Sequence, residues 1–300
     1  MPGIFHRPLD RRSFLHVTAT GVAATIAGFR TPSQGADLSS ETAEWHLALI
    51  SDTHIPADRT FVNRGFNPWE NLRNIVPEIV AVNPDAVIHN GDAACVDGKP
   101  TEYAEVKQLL APLAKRAPIY LTLGNHDDRP AFCEAFPAVT GTRQKVTDKQ
   151  VLVIEHPLAR VVLLDSLLYV NKSAGLLGKE QRQWLADYLP KQTDRPVVVF
   201  VHHSLGNADN ELLDAPAMFA LFRLHPQVKA VFYGHSHIWE VRDEPGLKLI
   251  NLPAVGYNFN DREPVGWVDA RFRKDGVQLT LHAVGGNRKE DGRVVRLNWS

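Results

Sequence analysis

The sequence predicts an α/β protein with two stacked, mixed β-sheets flanked by helices, a four-layer α-β-β-α sandwich. Three observations predict it. From Trp45 onward, short apolar runs alternate with amphipathic stretches of helical period. Runs such as VVVFV at 197–201 are apolar without alternation, as strands buried on both faces require. From Val241 on, strand follows strand across Gly, Pro and Asp-Gly turns with no helical period between them.

Taken in order, the expected strands are WHLALIS (45–51), AVIHN (86–90), PIYLTL (118–123), QVLVIEH (150–156), RVVLLD (160–165) and VVVFVH (197–202). They continue with AVFYG (230–234), LKLINL (247–252), GWVDARF (266–272) and VQLTLHAV (277–284). RKDGVQ at 273–278 reads as a hairpin turn between the last two. Helical period covers 69–82, 101–115, 179–189 and 210–224, and Thr101 followed by Glu102 makes a plausible helix start. No repeat or low-complexity linker interrupts the chain, so residues 41–300 are expected to form one domain whose β-rich end is 241–300.

With 300 residues, 44% of them hydrophobic, the chain can bury a large core. Lys and Arg number 33 against 34 Asp and Glu, a net charge of -1, which excludes a general attraction to nucleic acid polymers or anionic membranes. A phosphate-bearing ligand must therefore be held locally. Two cysteines, Cys95 and Cys133, lack the Cys-x-x-Cys neighbours of a zinc site, and their spacing leaves a disulfide open.

Residues 1–40 stand apart. Arg11 and Arg12 precede Ser13, Phe14 and Leu15, then a weakly apolar stretch at 17–29 too short to span a bilayer, then small residues around 33–40. This order resembles a twin-arginine signal peptide. The resemblance implies export of the folded protein through the twin-arginine translocase, hence a periplasmic or secreted location.

Thirteen histidines are the unusual feature of the composition, and many fall at strand ends. Five short signals stand where a strand gives way to a loop: SDTH (Asp52, His54), NGD (Asp92), GNHD (Asn125, His126), VHH (His202, His203) and GHSH (His235, His237). Loops after the carboxyl ends of strands in a layered α/β sheet converge on one edge, so distant residues can meet there. Two carboxylates, an amide and several imidazoles suit first-row divalent ions such as Mn, Fe or Zn, whereas Ca and Mg take all-oxygen sets. The donors exceed what one ion needs. Two ions about 3.5 to 4 Å apart, sharing one carboxylate, would use them, and such pairs serve phosphoester hydrolysis. Taken singly, each signal also reads as an ordinary polar turn. Side-chain alternation says that His202 and His203 cannot both face one site without a local twist, and the strand before them, apolar on both faces, does not say which does.

The order of the five signals resembles the calcineurin-like metallophosphoesterases over roughly residues 45 to 255, with spacing similar to the class III cyclic-nucleotide phosphodiesterase and glycerophosphodiesterase group. Carried over, the resemblance implies a metallo-dependent phosphatase-like fold. One ion would be held by Asp52, His54, Asp92 and His237, and a second by Asp92, Asn125, His202 and His235, with Asp92 bridging. It implies hydrolysis of phosphoesters, phosphodiesters foremost, by a metal-bridging hydroxide, with His126 assisting the leaving group and Asp127 either orienting His126 or capping the next turn. The expected partner is a small phosphoester. A nonspecific phosphomonoesterase or nucleotidase is the alternative, and a non-catalytic scaffold on the same fold a further one. Purple acid phosphatases need a ligating tyrosine after Gly-Asp, and here the first tyrosine is Tyr103.

Two departures from the family pattern bear on His126. Ser204 and Leu205 follow His203, where a proline is usual one residue after the motif histidine, and Cys95 stands where many members carry an acid, the nearest being Asp97. His203 is expected to back the ligands or edge the site. His46, His89, His156, His225 and His282 read as core or surface groups with hydrogen-bond partners, His89 being placed to support Asp92. The loop at 55–69, with Arg59, Asn63, Arg64 and Asn67 beside Phe61 and Phe66, reads equally as a substrate-contacting edge or a plain polar loop. Tyr257 or Asn258 could close the site.

Overall fold

The structure is a computed structural model that describes residues 43–137 and 141–299. The twin-arginine stretch lies outside the described residues.

Two mixed sheets stack face to face. The first has the order β13-β12-β11-β1-β2-β3, from strands Trp45–Ile50 (β1), Ala86–Asn90 (β2), Ile119–Thr122 (β3), Pro264–Arg273 (β11), Gly276–Gly286 (β12) and Val294–Asn298 (β13). The second has the order β4-β5-β6-β7-β8-β10-β9, from Thr142–Gln144 (β4), Val151–Glu155 (β5), Arg160–Leu163 (β6), Val197–Phe200 (β7), Val228–Tyr233 (β8), Glu240–Glu244 (β9) and Leu247–Asn251 (β10). Strands β1, β2 and β3 run parallel, as do β6, β7, β8 and β10, while the outer strands pair antiparallel. The parallel halves carry the histidine-rich loops.

Side-chain alternation sorts each strand into two cores. In β1, Leu47 and Leu49 pack between the sheets with Phe200, Phe232 and Phe272, while Ala48 and Ile50 pack under Leu72, Ile75 and Ile79 of α1 (Pro68–Val82) and Val106 of α2 (Pro100–Ala114). In β7, Val198 and Phe200 face the first sheet, while Val197, Val199 and Val201 pack with Leu185 of α4 (Gly178–Tyr188) and Met218 and Phe222 of α5 (Ala215–Arg223). Three apolar layers between four structural layers are the sandwich that the sequence predicts. Each fully buried Leu, Val or Phe contributes about 1.5–3 kcal/mol of transfer free energy, enough in aggregate to fix which loops meet at the edge.

Local chemistry sets the boundaries. Asn67 caps α1 by accepting the Glu70 amide at 3.0 Å, Pro68 opens the helix, and Asn83 closes it in the left-handed region. Three elements escape the apolar patterning. The short helix α3 (Arg129–Ala135) is announced only by Asp128, which caps Ala131, and by Pro130. Strands β4 and β9 are edge strands with mostly exposed residues, so no apolar period marks them. The helix expected at 210–224 begins only at Ala215. Asp214 turns its carboxylate to the amides of Leu177 and Gly178 at the start of α4, and Pro216 follows at the entry of α5. Lys274 and Asp275 make the β11–β12 turn, as RKDGVQ predicts. Both cysteines are free, with Cys95 buried and Cys133 half-buried.

Candidate metal centre

All five signals, four of them with histidine, lie at carboxyl ends of parallel strands: those after β1, β2 and β3 on one sheet, those after β7 and β8 on the other. Pairing between β1 and β2 continues past the strands into their loops. The Asp52 amide donates to the Gly91 carbonyl at 3.1 Å, His54 to Asp92 at 3.0 Å and Ile55 to Ala93 at 2.9 Å, which sets the SDTH residues against Asp92. Across the gap between sheets, the His235 amide reaches the Asp52 carboxylate at 3.1 Å. Glycines make the approach close enough, since a Cβ on Gly124 would run into the Asp92 carboxylate and one on Gly234 into that of Asp52.

Five of the seven expected ligands have left-handed backbones: Asp52, His54, Asp92, His235 and His237, with φ between 47° and 70°. Each costs on the order of 1 kcal/mol for a residue with a Cβ and persists because the surroundings over-determine it.

The side chains form three overlapping donor groups, one of them His54, Asp92 and His126. Ligand atoms of Asp52, His54 and His237 cluster within 4.8 Å of one another, as do those of Asp92, His202 and His235. Asp92 Oδ2 stands between the groups, 3.6 Å from His54 Nε2 and 3.3 Å from His202 Nε2, which is the position of a bridging oxygen. Its Oδ1 accepts the His126 amide at 2.8 Å.

Main-chain carbonyls orient the rings. His202 Nδ1 donates to the Asn90 carbonyl at 2.8 Å, His237 Nδ1 to Tyr257 at 2.5 Å, and His54 Nδ1 sits 3.4 Å from the Cys95 carbonyl. A carbonyl only accepts, so each Nδ1 carries a proton and each Nε2 turns to the donor cluster, with a lone pair whenever the ring is neutral. The Nε2 atoms of His54 and His237 then face each other at 3.1 Å, and His202 Nε2 is buried with no hydrogen-bond partner. His235 gives Nε2–H to the Asn210 carbonyl at 3.2 Å and turns Nδ1 to the Asn125 side-chain oxygen at 2.8 Å. Facing acceptors in a buried site repel unless a cation lies among them. The donor set therefore fits bound divalent ions.

The electrostatics carry the same demand. Burial disfavours a charged His202, yet the Asp92 and Asp52 carboxylates push its pKa up to about 10, so in the ion-free site Nε2 takes up a proton where a divalent ion would otherwise balance those carboxylates. Burial drives His54 the other way, down to about 3, against the pull of Asp92. Asp92 itself is held well below the usual carboxylate range, its desolvation outweighed by His202 and His54.

His126 lines the same cleft. Its Nδ1 lies 3.0 Å from the Val96 carbonyl, which leaves Nε2 free. Asp127 does not orient it. The Asp127 carboxylate is fully buried and accepts the amides of Gly124 (2.9 Å), Ala94 (3.1 Å) and Ala93 (3.3 Å) and the Tyr103 hydroxyl (3.1 Å), tying the loop after β2 to the loop after β3. Burial and the nearby Asp92 raise its pKa to about 6. The expected catalytic role of Asp127 gives way to a structural one, because Val96 already occupies the Nδ1 of His126. Asp97 pairs instead with Lys99 at 3.2 Å.

His203 points to the opposite face of its sheet, where Nδ1 bonds Ser166 Oγ at 2.7 Å. It is fully buried, and its ring lies 4.9 Å from that of His235, so it backs a ligand and does not edge the cleft. Of the other histidines, His46 bonds Asp269 at 2.9 Å and His89 bonds the Thr53 hydroxyl at 2.9 Å in place of Asp92, while His156 and His282 stack on Trp45 and Trp267. Tyr257 lines the cleft, whereas Asn258 is buried and donates to the Glu263 carbonyl. Arg59 is tied to Glu105 on α2. Sequence reasoning misses Ser51, whose hydroxyl bonds Asp52 Oδ2 at 2.5 Å, and Ser173, Asn210 and Glu211, which line a cleft of about 290 Å³.

Residues 46–239 match the family model of calcineurin-like phosphoesterases, and the chain belongs to that family. It is a metal-dependent phosphoester hydrolase by family and by relatives. It is 28% identical over 230 residues to the glycerophosphodiester phosphodiesterase GpdQ of Enterobacter lignolyticus, covering 73% of this chain and 81% of that one. It is 27% identical to the 3',5'-cyclic adenosine monophosphate phosphodiesterase CpdA of Pseudomonas aeruginosa, covering 71% and 77% of the two chains. The crystal structure of a dimetal phosphatase from Danio rerio superposes with a TM-score of 0.66 at 17% identity, covering 85% of this chain and 99% of that one, a likeness of fold.

Proposed function

We propose that the protein hydrolyses small phosphodiesters at a pair of divalent ions, Mn, Fe or Zn, with His126 protonating the leaving alkoxide. The observation that carries this reading is the set of lone pairs turned on one another: His54 against His237, and His235 against Asn125, beside an unpartnered His202. Asp52, His54 and His237 would hold one ion, Asn125, His202 and His235 the other, and Asp92 both. Such a pair, when bound, lowers the pKa of water and neutralises phosphoryl oxygens as charge builds on them.

The chain's own residues do the rest. Asp92 is fixed for both donor groups because the His126 amide holds its other oxygen. His126 keeps its Nδ1 proton on Val96, so Nε2 is the atom that moves a proton, at the mouth of the cleft where a leaving oxygen would stand. Tyr257 and Phe259 wall one side of the cleft. Two relatives named as phosphodiesterases support diesters over monoesters.

Metal-loaded protein assayed against bis(p-nitrophenyl) phosphate and p-nitrophenyl phosphate tests the reading. Faster turnover of the diester is expected. Preference for the monoester would establish the phosphatase alternative, and turnover of neither would leave the scaffold.

Export by the twin-arginine route, to the periplasm or beyond, completes the proposal, and Arg11 with Arg12 carries it. That route moves folded proteins, as suits a centre loaded before export. Replacing both arginines by lysine should retain the protein in the cytoplasm, and undiminished export would refute the signal.

A further inference from the structure

We propose that Arg64 selects, within the diesterase reading above on which this rests, substrates that carry a second anionic group beyond the scissile phosphate.

The contacts lead outward from the metal centre. Phe259 stacks on the ligand His237, centroids 4.3 Å apart and planes 23° from parallel. The Arg64 guanidinium lies over the Phe259 ring, 5.0 Å from its centroid. Arg64 is thus one aromatic ring away from a metal-binding imidazole.

The nearest arginines along the chain, Arg59 in the same loop and Arg73 in α1, are used differently. Arg59 pairs with Glu105 at 2.8 Å and Arg73 with Glu70 at 2.5 Å. Among the described residues no carboxylate pairs with Arg64, which is exposed and held only by the ring beneath it. A guanidinium carries five N–H donors and no acceptor, and the face of a phenyl ring satisfies none of them as an anion would. Among the described residues no lysine or arginine lines the metal cleft itself, where Glu211 supplies a carboxylate near Asn210. The cleft is therefore polarised, with a carboxylate at the His235 end and a guanidinium beyond the His237 end.

The backbone presents Arg64 deliberately. Asn63 and Phe66 exchange amide–carbonyl hydrogen bonds of 2.8 and 2.9 Å around a two-residue turn in which Arg64 has φ 52° and Gly65 φ 83°. Such a turn favours Asn, Asp or Gly at its first position, so arginine there stands against local preference. The strained turn fixes where the side chain begins, and Phe259 fixes where it ends.

A phosphate or carboxylate on the arm of the diester that extends past His237 would meet this fork. The phosphate, with three oxygens for a bidentate pair, would gain more.

Thymidine 5'-(p-nitrophenyl phosphate), with and without a 3'-phosphate, isolates the effect, because scissile bond and leaving group are identical. The 3'-hemisuccinate tests a carboxylate in the same place. The manganese-loaded wild type should favour an anion-bearing substrate by about tenfold in kcat/KM, expressed in KM. Arg64→Gln should bring the ratio to within about twofold of one, and Arg64→Lys should restore part of it. A wild type indifferent to the second anion overturns the proposal, as does an Arg64→Gln enzyme that slows on both substrates while keeping the preference. Hydrolysis of none of the substrates overturns the diesterase reading and this assignment with it, an outcome distinct from indifference.

Discussion

His202 and His203 are neighbours in the chain and lie on opposite faces of one sheet, their rings 86° apart and 5.2 Å between centroids. His202 continues the face of Val198 and Phe200, which looks across to the other sheet, and His203 continues that of Val199 and Val201, which looks to the helices. His202→Ala should therefore remove a ligand and its ion. His203→Ala should leave most of the hydrolysis of bis(p-nitrophenyl) phosphate while lowering stability by about 1–3 kcal/mol through the lost Ser166 bond and packing. Equal loss of activity in both variants would reverse the assignment.

Asp92→Asn should be the most damaging single change. It keeps the shape but removes the charge that both donor groups share, so metal per chain should fall and activity drop by at least about a hundredfold, on the scale of a lost transition-state group. Metal analysis by mass spectrometry on the purified variant checks it. Full occupancy with full activity would exclude the bridging role.

His126 and Asp127 are adjacent and should separate cleanly. His126→Ala should lower kcat by roughly 10² to 10³, more for alkyl than for p-nitrophenyl leaving groups, because only the former need the proton. Asp127→Asn should act on stability, since an amide cannot accept three backbone amides and a hydroxyl at once. A fall in melting temperature with an unchanged pH profile is the expected outcome.

Chelation should destabilise the fold. Ions at about 100 times their dissociation constant contribute roughly 2.7 kcal/mol, worth about 5–10 °C in a domain of this size. Scanning calorimetry before and after chelator, then with manganese restored, should show a reversible shift. No shift would mean that the left-handed ligand loops hold without ions.

The strands and the candidate ligands are legible in the sequence because both depend on residue type: apolar runs for the one, carboxylates and imidazoles at strand ends for the other. The supports are not, because Asn90, Cys95, Val96 and Tyr257 act through carbonyls that every residue possesses. Choosing between His202 and His203 needs the other sheet, since VVVFV is apolar on both faces and only stacking says which face is inner. Edge strands β4 and β9 are missed because solvent, not a core, determines their composition.

Steering imidazoles by carbonyls has a consequence for how this centre tolerates change. Cys95 replaces an acid found in many relatives of the fold, yet the atom near His54 at that position is the carbonyl, which survives any substitution that keeps the backbone path. The supports can change in sequence without turning a ring, whereas replacing a donor side chain removes its atom from the cluster. Variation among descendants of this chain should therefore gather immediately beside the donor residues.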